Sequence, residues 1–480
     1  MKIKSKEGSD PSLAVKISES LHYCWIEGIT TSITMGILDY YLVPYALFLG
    51  ATTQQVGFLA ATPPLFSSIA LLFAVKAVQL AGNSRLRLLL SGIGIQCIIL
   101  LLISILSLFH LSGRPVILIS LISIFGVLGT IIGPSWGSLV SDYLPPNQRG
   151  LYFGDRSRAI GVAGVLGLCL WGAVLALMKK ISISTGFFLV FLGATLFRCA
   201  SLYYMSKMID LPLHKSTESD FTFTKFLFRF KESNFVKFIF YVASISFSVQ
   251  LATPYFNIYL LRELHFNYLT YMMIHLGSVI AGLIAFPIWG RHADLVGNAR
   301  ILKITSFIIP VVPILWLFSA NPFYLGVVNA LAGFVWSGFN LCTTNFIYDA
   351  VSAQKRLRCL GYFNLINGGA IFAGASLGGF LAERVSPLWG SRLLTIFLIS
   401  AILRFLADFF LSRHFTEVRA STKKVSSTKL FFSVVGVRPL EGTNTEFDIF
   451  PSFRQLMKLR KKAKRTRRTR KTVKKQKQSH

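Results

Sequence analysis

The sequence predicts an all-α polytopic membrane protein of twelve transmembrane helices arranged as two six-helix repeats. Three observations carry that reading. Residues 304–348, 45 positions, contain no Asp, Glu, Lys, Arg or His. One helix of that length would run to roughly 67 Å, about twice a bilayer core of ~30 Å, so the stretch crosses twice, with Asn321-Pro322 as the break. Basic residues alternate between short connections, and the two halves resemble each other at a spacing of about 210 residues.

Taken in order, the spans are residues 26–49, 55–76, 87–109, 115–140, 159–178, 182–206, 238–261, 267–290, 303–320, 323–348, 360–382 and 392–412. The first two divide at Gly50-Ala51-Thr52-Thr53-Gln54-Gln55. Pro and Gly inside the spans are tolerated, because neighbouring helices satisfy the backbone groups they free. The charged N-terminus (Lys2, Lys4, Lys6) precedes an apolar stretch of full length without a small-residue cleavage site, so no cleavable signal peptide is expected. The connections on the N-terminal side of the membrane carry 22 Lys and Arg before the tail. Those on the other side carry 6: Arg114, Lys179, Lys180, Arg262, Arg384 and Arg392. By the positive-inside rule both termini are expected in the cytoplasm, in a plasma membrane or a bacterial inner membrane.

The formal net charge of +30 divides accordingly. Residues 413–480 hold 20 Lys and Arg against four acids, Glu417, Glu441, Glu446 and Asp448. The expected organisation is a cytoplasmic N-terminus (1–22), a six-helix bundle (23–206), a central cytoplasmic loop (207–236), a second bundle (237–413) and a basic tail (414–480). The run from Lys458 to Lys477 reads as disordered and as an anchor for anionic lipid, in preference to a nucleic-acid partner. Residues 429–452 carry enough apolar groups to dock on the cytoplasmic face. The six cysteines lie in or at the ends of spans with no C-x-x-C pair, so reduced thiols are expected.

The repeat shows as ordered matches. Phe191-Leu192, Arg198 and Ser206-Lys207 meet Phe397-Leu398, Arg404 and Ser412-Arg413 at a constant offset. Pro44-Tyr45 meets Pro254-Tyr255, and Gly82-Asn83-Ser84-Arg85 meets Gly297-Asn298-Ala299-Arg300. Asp142 with Arg149 meets Asp349 with Arg356, and Gly164 meets Gly374. Two such halves place a cavity at their interface near the bilayer midplane.

The segment from Trp289 through Gly290, Asp294 and Gly297 to Arg300 resembles the loop signature of the major facilitator superfamily. Asp142 to Arg149-Gly150, followed by Tyr152-Phe153-Gly154, is similar to that family's loop after span four. The resemblance covers about residues 20–415. It implies the major facilitator fold and a secondary transporter in which the second signature forms a cytoplasmic gate. In the first copy Val75 stands where the signature has Gly and Gln79 where it has Asp, which implies a weaker latch. The span-five Gly-Pro motif of drug antiporters is missing, which counts against a multidrug exporter.

Asp39 is the leading candidate for transport chemistry. A charged Asp within a span costs about 2.5–3.5 kcal/mol on insertion scales, so it should face a cavity or a partner. Gln250 and Asn257 occupy the repeat-related neighbourhood, and Asn340, Asn345 and Gln96 add further amides. Each alone reads more simply as interhelical glue. His275 is a second titratable candidate, though a single His is more often structural. Arg198 and Arg404 read as snorkelling anchors, and Arg404 with Asp408, four residues on, as a helical pair. Gly374, Gly378 and Gly379 read as packing positions. The acids and His are too few and scattered for an enzyme. No catalytic group, metal or cofactor is expected. The expected partners are a small solute and the bilayer, with the protein a monomer. The expected function is a secondary transporter, a proton-coupled symporter if Asp39 carries the proton. A non-transporting sensor or scaffold that recruits a partner through its tail is the alternative.

Overall fold

Proline, asparagine and glycine set where the helices stop. A computed structural model describes residues 11–109, 111–144, 146–211, 233–351 and 356–418. Met1–Phe431 forms one compact unit; a second, Phe432–His480, lies outside the described residues together with the basic run of the tail.

The first half is built from α1 (Pro11–Phe48), α2 (Thr53–Leu71), α3 (Ala74–Leu80), α4 (Arg85–Ile105), α5 (Arg114–Tyr143), α6 (Pro146–Met178) and α7 (Ile183–Ser206). The second contains α8 (Asn234–Gln250), α9 (Thr253–Ile258), a π turn (Tyr259–Glu263), α10 (Tyr268–Val296), α11 (Asn298–Ile308), α12 (Val311–Leu315), α13 (Pro322–Ala350), α14 (Arg356–Ala382) and α15 (Arg392–Leu411). Among the described residues no strand forms; Leu388 and Ser391 make an isolated bridge.

Local chemistry explains the boundaries. Thr52 opens α2 with a capping box, its hydroxyl accepting from Gln55 N while the Gln55 side chain accepts from Thr52 N. The Asn321 carboxamide accepts from the amides of Phe323 and Tyr324, and Pro322 follows at the first helical position. The apolar run 304–348 therefore breaks where Asn321-Pro322 predicts. Two spans break where no break was expected. Pro254 and Pro310 lack an amide proton, so helix is interrupted between α8 and α9 and between α11 and α12.

Among the described residues, ten helical segments are long and apolar enough to cross a membrane. Their positions match the expected spans three to twelve. The remaining two are α1 and α2, whose polar groups include Glu27 and Asp39 in α1 and Gln54, Gln55, Thr62, Ser67 and Ser68 in α2. In the first half α1 packs on α6 and α7, and α4 on α7. In the second α10 packs on α13, and α8 on α14 and α15. The halves meet along α2–α14 and α6–α10. Small residues permit this approach: a Cβ on Gly374 would lie 2.2 Å from Phe247 O, and one on Gly57 2.4 Å from the Tyr255 hydroxyl across the interface. The repeat is also visible in the bonding. Tyr45 donates to Ile103 O and Tyr255 to Ala375 O, each at 2.7 Å and each buried.

Candidate functional site

Helix α1 is surrounded. Thr34 donates to Ala194 O on α7 (3.2 Å), Tyr41 to Leu168 O on α6 (2.6 Å) and Tyr45 to Ile103 O on α4. From the other half, Tyr271 on α10 donates to Tyr40 O (2.9 Å). Asp39 sits between these positions along α1, is exposed, and makes no hydrogen bond or ion pair among the described residues. Beside it Tyr40 and Tyr271 pack on the His275 ring, at centroid distances of 5.5 and 4.4 Å, and His275 Nε2 bonds Asn257 Oδ1 at 3.1 Å. The structure thus gathers Asn257 and His275 at the seam against Tyr40, the residue that follows Asp39 in sequence. Gln250 is half-buried, its amide oxygen without a hydrogen-bond partner. Asn340 is exposed and Asn345 half-buried on α13; no hydrogen bond joins either to the His275 cluster.

Sequence reasoning missed a second polar system. Glu27, 4% exposed, receives Arg156 Nη2 at 3.0 Å, Thr31 Oγ1 at 2.7 Å and Ser201 Oγ at 3.3 Å. Arg198 then donates to Thr31 Oγ1 at 2.9 Å and, through Nε and Nη2, to Gln96 Oε1. Gln96 closes the chain by donating to Phe125 O at 2.9 Å. Arg156 also stacks over Trp136, 4.4 Å from its ring centre. Five helices, α1, α4, α5, α6 and α7, are tied by one buried network. Arg198 does not snorkel; it is 3% exposed and fully engaged. The available signal was Glu27 and Thr31 at i, i+4, one helical face.

The repeat partner Arg404 solves its burial differently. No ion pair joins it to Asp408, which instead accepts from Ser306 (2.6 Å) and Tyr241 (3.3 Å). Arg404 donates to Val249 O at 3.3 Å and Ile309 O at 3.4 Å. These carbonyls lie at the C-terminal ends of α8 and α11, where helix dipoles favour a cation. The proline breaks of two spans therefore supply the acceptors that a carboxylate supplies elsewhere.

The end of the bundle that carries the basic connections holds the gate candidates. Arg85, 2% exposed, pairs with Asp142 at 2.6 Å and donates to Ser138 Oγ and Leu211 O. Asp142 was expected with Arg149; the surroundings of Arg149, Gly150 and Arg356 lie outside the described residues. Asp349 accepts from Asn298 Nδ2 at 2.8 Å. Gly297 takes φ +90°, and a Cβ there would strike the Glu417 carboxylate. Glu417 accepts from Ala299 N at 2.7 Å, at the start of α11. Its repeat counterpart is Asp210, which accepts from Ser84 Oγ at 2.6 Å at the start of α4. Phe415 is fully buried against Phe238, Tyr241 and Phe346, so packing on the second bundle extends past residue 413. Gly290 packs near Leu341, while Asp294 is exposed and Arg300 half-buried.

The Arg85–Asp142, Asp349–Asn298, Glu417–Ala299 and Asp210–Ser84 contacts each join residues of the same half. Two hydrogen bonds that cross between the halves are Tyr271 to Tyr40 O and Arg262 Nη2 to Ala51 O at 2.6 Å. Both lie towards the opposite end.

The model of the Major Facilitator Superfamily matches residues 24–281 and 238–467. The chain is 24% identical over 388 residues to an uncharacterised MFS-type transporter of Methanocaldococcus jannaschii, an alignment covering 77% of this chain and 92% of that one. Multidrug resistance protein MdtG of Proteus mirabilis is 31% identical over 154 residues, 31% of this chain and 36% of MdtG. The vacuolar basic amino acid transporter 1 of Saccharomyces cerevisiae is 26% identical over 118 residues, 24% of this chain and 21% of the relative. The chain thus spans only about a fifth to a third of the length of these last two. The crystal structure of the nucleoside transporter NupG superposes with a TM-score of 0.62 at 16% identity, covering 82% of this chain and 98% of that one. That of a bacterial homologue of the iron transporter ferroportin, in an inward-facing state, gives 0.59 at 14%, with the same coverage.

Proposed function

The chain belongs to the major facilitator superfamily of membrane transporters, and from that premise we propose that it is a secondary active transporter moving a small polar solute by rocking its two halves. The observation that carries the reading is the placement of polar contacts. The halves are hydrogen-bonded to each other towards the Tyr40–Ala51 end, while the Arg85–Asp142 and Arg156–Glu27 pairs towards the other end each join residues of the first half. Opening at the Tyr40–Ala51 end breaks these two bonds to backbone carbonyls. Each half stays rigid meanwhile.

On this reading residues 23–206 and 237–413 are the rocking bodies and both termini are cytoplasmic. Asp39 opens on the space between the halves and carries the coupled proton. His275, Asn257, Gln250, Asn340 and Asn345 are the supporting polar groups. The segment from Gly290 to Arg300, with Asp142 and Asp349, forms the cytoplasmic gate. The test is uptake into proteoliposomes across a panel of small polar solutes with an imposed pH gradient. At least one solute should accumulate above its outside concentration with the gradient and merely equilibrate without it. Equilibration under both conditions removes coupling; uptake no greater than in protein-free vesicles removes transport.

A further inference from the structure

A cleft of about 420 Å³ opens between the halves beside Arg262. Phe48 and Lys179 line it from the first half; Arg262, His265, Phe266 and Tyr268 line it from the second. Its charge is one-sided. Lys179 and Arg262 are two of the six basic residues in the connections at this end of the chain, and no carboxylate lines the cleft. Glu263, next to Arg262 in sequence, is exposed outside it. Lys179 makes no ion pair among the described residues, and its Nζ stands 5.8 Å from the centre of the Tyr268 ring across the seam. Arg262 gives one nitrogen to Ala51 O, which leaves donors of its guanidinium fork for a ligand.

The backbone holds these groups in place. The π turn Tyr259–Glu263 is closed by Leu264 N to Tyr259 O (2.9 Å) and Phe266 N to Leu260 O (3.0 Å). His265 is thereby held at φ +51°, a left-handed conformation that costs a residue with a Cβ about 1–2 kcal/mol.

We propose that this cleft binds a phosphate-class oxyanion, either free in solution or as the headgroup of a lipid. Convergent cations without a carboxylate repel one another, and an oxyanion turns that repulsion into charge-assisted hydrogen bonds. The arginine fork matches a tetrahedral oxyanion face, and lysine acts as a point charge beside it. Phe48, Phe266 and Tyr268 give the bound molecule an apolar flank. Because the walls come from both halves, an occupant favours the state in which this end is closed. That consequence rests on the alternating-access reading; binding itself does not.

The experiment measures binding without transport. Purified full-length protein in neutral detergent is melted with inorganic phosphate against chloride at equal ionic strength. The comparison is with a Lys179→Gln/His265→Gln double variant and with Lys179→Arg. The basic tail is the same in all three proteins, so its own attraction for phosphate cancels. Phosphate well above its dissociation constant should raise the melting temperature of the unaltered protein by about 2–4 °C. The double variant should lose most of that shift and Lys179→Arg should keep it. In lipid nanodiscs, phosphatidylglycerol added to phosphatidylcholine tests the headgroup source. Stabilisation there of the unaltered protein but not of the double variant also supports the site. Equal shifts in the unaltered and double-variant proteins, or no shift from phosphate or phosphatidylglycerol, overturn it. Because no solute flux is read, losing the site leaves the transport reading standing, and failure of transport leaves the binding result standing.

Discussion

Glu27→Ala is expected to destabilise the first half by roughly 3–5 kcal/mol, the loss seen when one partner of a buried ion pair is removed. Glu27 is the acid that compensates Arg156 directly and Arg198 through Thr31 and Ser201. Without it two guanidinium groups remain within the bundle with only dipoles for company. A double variant, Glu27→Ala with Arg156→Met, should melt at a higher temperature than Glu27→Ala alone, because the uncompensated charge goes with its partner. Melting of the purified proteins followed by tryptophan fluorescence measures both. A double variant no more stable than the single one would show that the two side chains are not coupled.

Asp39→Asn is expected to abolish uphill accumulation while sparing exchange. The substitution keeps the shape and removes the exchangeable proton. A one-unit pH gradient supports about tenfold accumulation for one proton per solute, so loss of coupling should bring the inside-to-outside ratio to one. Exchange with solute on both sides needs rocking but no net proton movement, so its rate should survive. Undiminished accumulation would move the coupling group elsewhere, with His275 next, since it lies against Tyr40 beside Asp39. Loss of exchange as well would make Asp39 a direct ligand of a cationic or hydroxyl-rich solute.

Much of the fold is legible because its signals are local. The charge-free run, the Asn321-Pro322 cap and the Thr52–Gln55 capping box each act over a few residues and read directly from the chain. The repeat is legible too, since matched positions such as Tyr45 and Tyr255 take matched hydrogen bonds. What was hidden depends on partners far away in sequence. Arg404 and Asp408 have the spacing of a helical pair, yet each turns to a different neighbour. Arg198 looks like a snorkelling residue until Gln96 and Glu27 arrive from other helices. The bonds between the halves end on the carbonyls of Tyr40 and Ala51. Every residue carries a carbonyl, so no sequence pattern marks those acceptors. Phe415 and Glu417 were hidden for a related reason: they follow the last span in sequence but dock on α11 and the aromatic cluster beside it.

Paired spin-label distances at the two ends of the bundle test the rocking of the halves most directly. In a background with Cys199 replaced by Ser, one pair joins Lys180→Cys to Leu269→Cys, exposed positions in different halves near the Arg262 end. The other joins Leu80→Cys to Arg291→Cys, exposed positions near the gate segments. Two distances are expected for each pair, with opposed populations, so that a condition lengthening the first shortens the second. Tyr271→Phe, which deletes the bond to Tyr40 O between the halves, should raise the long-distance population at the Lys180–Leu269 pair. A single distance at each end, unmoved by Tyr271→Phe and by transported solute, would contradict rocking of the halves.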